Sequence, residues 1–193
     1  MIRIEVDQES LKYVQARLGT MRNKAPQVIS SALNETARSA RVKLSEGAKS
    51  RYIVKTGGVK SSMKIRRATY GRLEAEVISQ GAPIKIEKFK VTAPASGAKA
   101  QVLKGGGLKP LIKGNLKAFA AGMTRGHPGK VHNGIYQRKG KNRLPIKTFY
   151  GPSAAKMVEK VYEGGDNAGI ALKPKIESDL QKNIERQIRR LIS

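Results

Sequence analysis

Ile2, Ile4 and Val6 alternate with Arg3 and Glu5, a period of two that predicts a short strand with one buried face. The spacing then lengthens. Leu11, Val14, Leu18 and Met21 recur three and four apart, which predicts a short helix capped by Asp7 and broken near Gly19. Asn23 is placed to cap a second helix, with Pro26 tolerated in its first turn. From Ala25 onward, Ile29, Leu33, Thr36, Ala37, Ala40 and Leu44 fall on one helical face. Much of that face is small (Ala32, Ala37, Ala40), so another element can approach closely. Gly47 is expected to end or loosen the helix.

Past residue 50 the period returns to two. Strands are predicted at 52–55, around Met63 and Ile65, and at 73–78, with a turn at Gly57 and Gly58. The second and third of these form a hairpin across Tyr70 and Gly71. Residues 84–89 alternate again, with Ile84 and Ile86 opposed to Phe89, so the apolar face is ambiguous. Pro94, Gly97, Gly105 to Gly107, Pro110 and Gly114 predict a long loop or arm at 91–114 around one short strand at 100–104. Further strands are expected at 116–123, 131–137 and 144–150, with a turn at 126–129. A short helix at 153–162 turns Met157 and Val158 or Val161 inward. In the last helix, Ile176, Leu180, Ile184, Ile188 and Leu191 lie four, four, four and three apart. Pro174 suits its first turn, and Glu177, Asp179, Arg186, Arg189 and Arg190 complement its dipole. Its single apolar stripe needs a partner: the long N-terminal helix, the sheet or a neighbouring subunit. The fold class is therefore α+β, an antiparallel sheet packed by a long N-terminal helix and a C-terminal amphipathic helix.

Charge changes the picture more than composition does. The 193 residues carry a formal charge of +25, and no acidic side chain occurs between Glu87 and Glu159, where fifteen Lys and Arg stand. A field of one sign this long faces a polyanion or an acidic partner. Cysteine is absent, which excludes disulfides, thiolate catalysis and cysteine metal sites. No window approaches 18 consecutive apolar residues, so a soluble protein made inside the cell, with no membrane partner, is expected.

Candidate chemistry is sparse. His127 and His132 are the only histidines, five apart and without a neighbouring Asp, Glu or Cys, so they read as ordinary polar residues. Ser153 lacks the Gly-x-Ser-x-Gly elbow and is expected to cap a helix. Lys104 to Gly107 lacks the order of a phosphate loop and reads as a turn. Glu74 and Glu76 share a strand face, and Glu159, Glu163 and Asp166 lie near a helix end. An enzyme would need those groups to converge on a metal. No catalytic, metal or cofactor site is expected. The basic residues Lys64, Arg66, Arg72, Arg138, Lys139, Lys141, Arg143 and Lys147 flank strands and a turn at Gly140. Lys64 and Arg66 would share one sheet face, suited to phosphates without reading sequence. A lumen or groove facing nucleic acid, acidic protein neighbours, and a plain solvated surface all remain open for this patch. Tyr136, Phe149 and Tyr150 are either stacking platforms or core.

The run Gly134-Ile135-Tyr136-Gln137-Arg138-Lys139-Gly140, then Arg143-Leu144-Pro145-Ile146-Lys147 and Tyr150-Gly151-Pro152-Ser153, resembles a block of the phage minor tail protein Z and tail completion (neck) family. The preceding Gly114-Asn115-Leu116-Lys117-Ala118-Phe119 resembles the strand leading into it. The specific likeness covers 114–153, and the Ala-rich helix and closing helix fit the same organisation. The resemblance implies a structural virion protein without enzymatic activity, a single domain over 1–193 with the Gly/Pro-rich arm at about 91–114. It implies a homo-oligomeric ring, with six subunits as one option, that completes the tail and joins it to the head. Its partners would be other tail and head–tail connector proteins and, without sequence preference, the DNA passing through the channel. It would reside in the virion tail, and in the host cytoplasm during assembly. The alternative is a free, sequence-nonspecific nucleic-acid-binding protein.

Overall fold

The computed structural model describes residues 1–54, 58–124, 131–164 and 171–193. The chain forms two compact units. The first comprises Met1–Ala48, Gly58–Gly81 and Ala155–Ser193, and the second Lys49–Gly57 and Ala82–Ala154.

The first unit is helical around a small sheet. Strand β1 (Ile2–Glu5) leads into α1 (Gln8–Leu18), where Asp7 Oδ1 accepts from the Ser10 N–H at 2.7 Å. Gly19 leaves the helix with φ +54, and a 3-10 segment (Gly19–Lys24) runs straight into α2 (Ala25–Arg51). Asn23 therefore lies within that segment and not at a cap. The Ala25 N–H instead donates to the Arg22 carbonyl. The predicted stripe of α2 is buried throughout, from Ile29 to Leu44. Gly47 does not end the helix, which continues four residues further, to Arg51. A Cβ there would lie 2.6 Å from Val161 Cγ1, so the glycine marks a close helix–helix contact.

A short helical turn, α3 (Gly58–Ser61), precedes β2 (Met63–Arg66) and β3 (Glu74–Ser79). These pair as the predicted antiparallel hairpin, and β1 adds to the other side of β3, giving the order β1-β3-β2. Met63, Ile65, Ala75, Val77, Ile2 and Ile4 share the inward face by register. Asn34 on α2 ties down the hairpin connection. Its Nδ2 donates to the Ala68 carbonyl at 3.0 Å, and its Oδ1 accepts from the Ala68 N–H at 2.9 Å.

Helices α4 (Ala154–Glu163) and α5 (Lys173–Ile192) complete the unit, with Pro174 in the first turn of α5 as expected. Ile176, Leu180, Ile184 and Ile188 are all buried. The stripe finds its partner within the chain. Asn183 Nδ2 donates to Thr36 Oγ1 at 2.8 Å, Gln187 Nε2 to Glu35 at 3.1 Å, and Arg186 and Lys43 form ion pairs with Glu35 and Asp179. On the α1 side, the Tyr13 hydroxyl donates to Glu185 at 2.5 Å.

The second unit is built of short antiparallel strands. These are β4 (Pro83–Lys85), β5 (Lys90–Thr92), β6 (Lys99–Gln101), β7 (Lys109–Pro110), β8 (Ile112–Lys113), β9 (Leu116–Lys117), β10 (Phe119–Thr124), β11 (Val131–Arg138), β12 (Ile146–Thr148) and β13 (Tyr150–Ser153). They pair as β5-β6-β7, β8-β9, β10-β11-β12 and β13-β4. The segment 91–114 thus contains strands from β5 to β8, with its glycines and prolines at or between their ends. The alternation at 84–89 does not persist as a strand. After Lys85 the chain enters a 3-10 turn (Ile86–Lys88), which brings Ile86 and Phe89 inward together. Residues three apart eclipse in such a turn, which is why two positions of opposite strand parity are both core.

The strand expected at 144–150 divides at Phe149. The N–H of that residue donates to the Ile135 carbonyl at 3.0 Å, and its carbonyl accepts from the Ile86 N–H at 3.1 Å. The chain changes partner there, from β11 to β4. Likewise the strand expected at 116–123 divides at Ala118, which bonds Leu111 and Ala98. Near 52–55, Tyr52 bridges Leu103 and the Ile53 N–H donates to the Val102 carbonyl at 2.9 Å. Lys55, Gly57 and the turn expected at 126–129 lie outside the described residues.

Two stability predictions follow from these contacts. Alanine is favoured over glycine in a helix by about 1 kcal/mol. Overpacking a buried contact costs about 1–3 kcal/mol. Gly47→Ala should therefore be net destabilising, lowering Tm by about 2–4 °C in a calorimetric scan. Hydrogen bonds from the Ser10 backbone and hydroxyl hold the Asp7 carboxyl below its usual range. A depressed folded-state pKa contributes stability that is complete above the unfolded value and lost as pH falls through the folded one. Asp7→Asn keeps an acceptor at the cap and should flatten the acid side of the Tm-against-pH curve.

Candidate functional site

The eight basic residues singled out by the sequence divide between the units. Lys64, Arg66 and Arg72 belong to the first, and Arg138, Lys139, Lys141, Arg143 and Lys147 to the second. Lys64 and Arg66 do project from one face of β2, opposite Met63 and Ile65. Their surroundings differ from the expectation of a bare cationic face. Arg66 Nη1 lies 3.3 Å from Glu76 Oε2, and the Glu76 side chain is only 4% exposed. Arg3 Nε sits 3.3 Å from Glu74 Oε1 on the same face. Of the carboxylates weighed as metal ligands, the two on the hairpin are thus each matched with an arginine. The Arg72 guanidinium donates to the Arg67 carbonyl at 2.8 Å and closes the hairpin turn, alongside reciprocal backbone bonds between Thr69 and Arg72.

In the second unit, Arg138 ends β11, and Lys139, Lys141 and Arg143 occupy its connection to β12. All four are exposed. The connection is pinned at its base by the Arg138–Ile146 pairing and by the Lys139 N–H donating to the Pro145 carbonyl at 2.9 Å. Lys147 is half-buried and pairs with Gln137, so it emerges on the face of the sheet opposite to Arg138. Tyr136 is buried, Phe149 is half-buried, and Tyr150 is exposed. Of the aromatic candidates, Tyr136 is core.

Two residues that carry the second unit were not singled out as core by the sequence. Gln137 is fully buried, and its Nε2 donates to the Leu116 carbonyl, joining β11 to β9. Phe89 is also fully buried, and its ring lies against Gly151. A Cβ at Gly151 would be 2.5 Å from Phe89 Cε2. The glycine of the Gly151-Pro152-Ser153 corner is therefore required by the close approach of a ring. A polar Gln on a strand and a Phe in a turn-forming run read like surface and ambiguous positions until the tertiary partners are known.

Ser153 is the last residue of β13, immediately before α4. Lys104 to Gly107 forms a turn, with the Gly106 N–H donating to the Leu103 carbonyl. His127 lies outside the described residues, and the backbone of His132 is in β11. Among the described residues no three His, Cys, Asp or Glu gather as a metal site would require. Nor is any described helix long and apolar enough to cross a membrane.

The fold defines a mixed α+β protein, made of antiparallel sheets with a long N-terminal helix and a C-terminal helix, whose notable surface is cationic. Residues 11–193 match the family model of prophage minor tail protein Z (GPZ), and the chain belongs to that family. The family is structural and not catalytic, and it belongs among the tail-completion proteins of phages. Comparison with curated proteins and with solved structures returned no match.

Gly151→Ala places a methyl group against a buried ring with no helix-propensity gain to offset it. The expected cost is about 1–3 kcal/mol. The fall in Tm should exceed that of Gly47→Ala measured in parallel.

Proposed function

We propose that this chain completes the tail of a phage or prophage particle and joins it to the head, as a ring of copies around the DNA channel. The observation that carries this reading is the family match over 11–193 on a chain whose cationic stretch has no acidic counterpart of its own. The action would be geometric: neighbouring copies dock, loops reach adjoining rings, and cations sit beside DNA phosphate without reading sequence. In a closed ring one modest interface is repeated at every subunit.

The apolar stripes of α2 and α5 are engaged within the chain, so docking falls to other features. Strands β1 and β2 each pair on one side only within their sheet, and Ile112, Leu144 and Tyr150 are exposed by 53%, 66% and 53%. Open edges and exposed apolar side chains are the features that adjoining subunits cover. The proposed contacts to DNA or acidic partners are Lys64, Arg66, Arg72, Arg138, Lys139, Lys141, Arg143 and Lys147. Arg66 and Arg72 would have to share guanidinium groups already bonded to Glu76 and Arg67. The protein would reside in the virion tail, and in the host cytoplasm during assembly.

A free nucleic-acid-binding protein is the competing reading, favoured by the same cations. Electron microscopy of the purified protein and of particles from a prophage encoding it separates the two. Closed rings, and this chain at the head-proximal end of the tail, are expected. A monomer at all concentrations that is missing from purified particles would overturn the assignment.

A further inference from the structure

The fold gathers most of the cationic excess of this chain into one of its two units. The second unit contains eighteen Lys and Arg against one acid, Glu87, a net of +17. The first contains twenty-one against thirteen, a net of +8. The kind of cation also differs. The second unit has fourteen Lys and four Arg, the first ten Lys and eleven Arg.

The two sets of cations do different work. Arg3, Arg17, Lys43, Arg66, Lys156 and Arg186 pair with carboxylates, and all belong to the first unit. Arg51 aside, no Lys or Arg of the second unit enters an ion pair among the described residues. Its one acid forms no ion pair with them among the described residues: Glu87 Oε2 is shielded from solvent and lacks a hydrogen-bond partner there. An unscreened excess of one sign disfavours the compact state by self-repulsion, and a bound polyanion relieves it.

We infer that the second unit is a phosphate-backbone binding module for double-stranded DNA, and that the loop from Arg138 to Arg143 is its principal contact. The inference deepens the tail reading and rests on it for the source of the DNA. Two observations favour a duplex over an acidic protein or a single strand. Lysine is depleted at protein–protein interfaces, whereas arginine and aromatic residues are enriched there. The unit has a fourteen-to-four excess of lysine, and sequence-independent neutralisation of phosphates needs only point charges, which lysine supplies. Finally, single strands are held by bases stacking on aromatic rings, and the loop contains none: Tyr136 beside it is buried, and the exposed Tyr150 of the same unit lies outside the loop, on β13. The loop concentrates four exposed cations in six residues on a base fixed by backbone hydrogen bonds.

The test uses the full chain and two triple variants of equal charge loss. One is Lys139→Ala, Lys141→Ala and Arg143→Ala. The other, in the first unit, is Lys12→Ala, Lys24→Ala and Lys182→Ala, all exposed positions. Binding to a random-sequence duplex is followed by fluorescence anisotropy across salt, with single-stranded DNA and poly-glutamate as competitors, and circular dichroism melting shows that each variant is folded. The loop variant should flatten the log–log salt dependence by about 2–3, roughly 0.9 per lost phosphate contact, and weaken binding about tenfold or more. The first-unit variant should leave the slope nearly unchanged.

Equal losses from both variants would reduce the effect to net charge and overturn the inference. So would tighter binding of poly-glutamate or of single strands than of duplex. Packaging both variants into particles keeps the two readings apart. Duplex binding by a chain absent from particles would remove the tail assignment and leave the loop intact. A particle-bound chain with no affinity for duplex would do the reverse.

Discussion

Helix α2 must bury one narrow stripe along 27 residues, about 40 Å, and the first unit is arranged around that requirement. Its small residues, Ala32, Ala37, Ala40 and Gly47, allow other helices to approach its axis closely, and α4 does so at Val161. Polar groups at the edge of the stripe then set the register of α5. Thr36 accepts from Asn183, and Glu35 meets both Arg186 and Gln187. Burial supplies the driving force, while these directional contacts select one arrangement among the many that would bury the same area. Asn34, one residue from Glu35, extends the same helix to the sheet by bonding both backbone groups of Ala68.

The second unit solves a different problem. Its strands are two to eight residues long, and its buried side chains include only a few large ones, such as Phe89, Ile86, Ile135 and Tyr136. Backbone pairing and close contacts supply the rest. Phe149 hands the chain from β11 to β4, Gln137 joins β11 to β9, and Phe89 rests on Gly151. These features leave most of the Lys and Arg among the described residues exposed, in a unit with one carboxylate. A modest core combined with a large one-signed surface sets this unit apart from the first.

The contrast between the units also explains why a basic residue is not by itself a contact residue. Arg66 and Arg72 looked equivalent to Arg143 in the sequence, as cations beside strands. In the fold, Arg66 meets the buried Glu76, and Arg72 closes a turn on the Arg67 carbonyl. Arg143 stands on an exposed connection with no carboxylate to meet among the described residues. Proximity to an acid, which depends on strand register, separates the structural cations from the available ones.

Periodicity alone located β1, α1, α2, the β2–β3 hairpin, β11, α4 and α5, because each has a face that must be buried and a repeat that shows which. A count of charges revealed the acid-free stretch, and a resemblance to tail proteins, not periodicity, marked out 114–153. Features that depend on a partner distant in the chain stayed hidden. Gly47 looks like a helix stop until Val161 is seen beside it, and the 84–89 run looks like a strand until Ile86 and Phe89 are both turned inward. The division of charge between two units belongs to the same category. A linear count places the excess in the middle of the chain, but only the way the chain folds back determines which acids stand within reach of which cations. Local sequence specifies which faces are apolar, and long-range packing specifies what those faces, and the charges around them, finally meet.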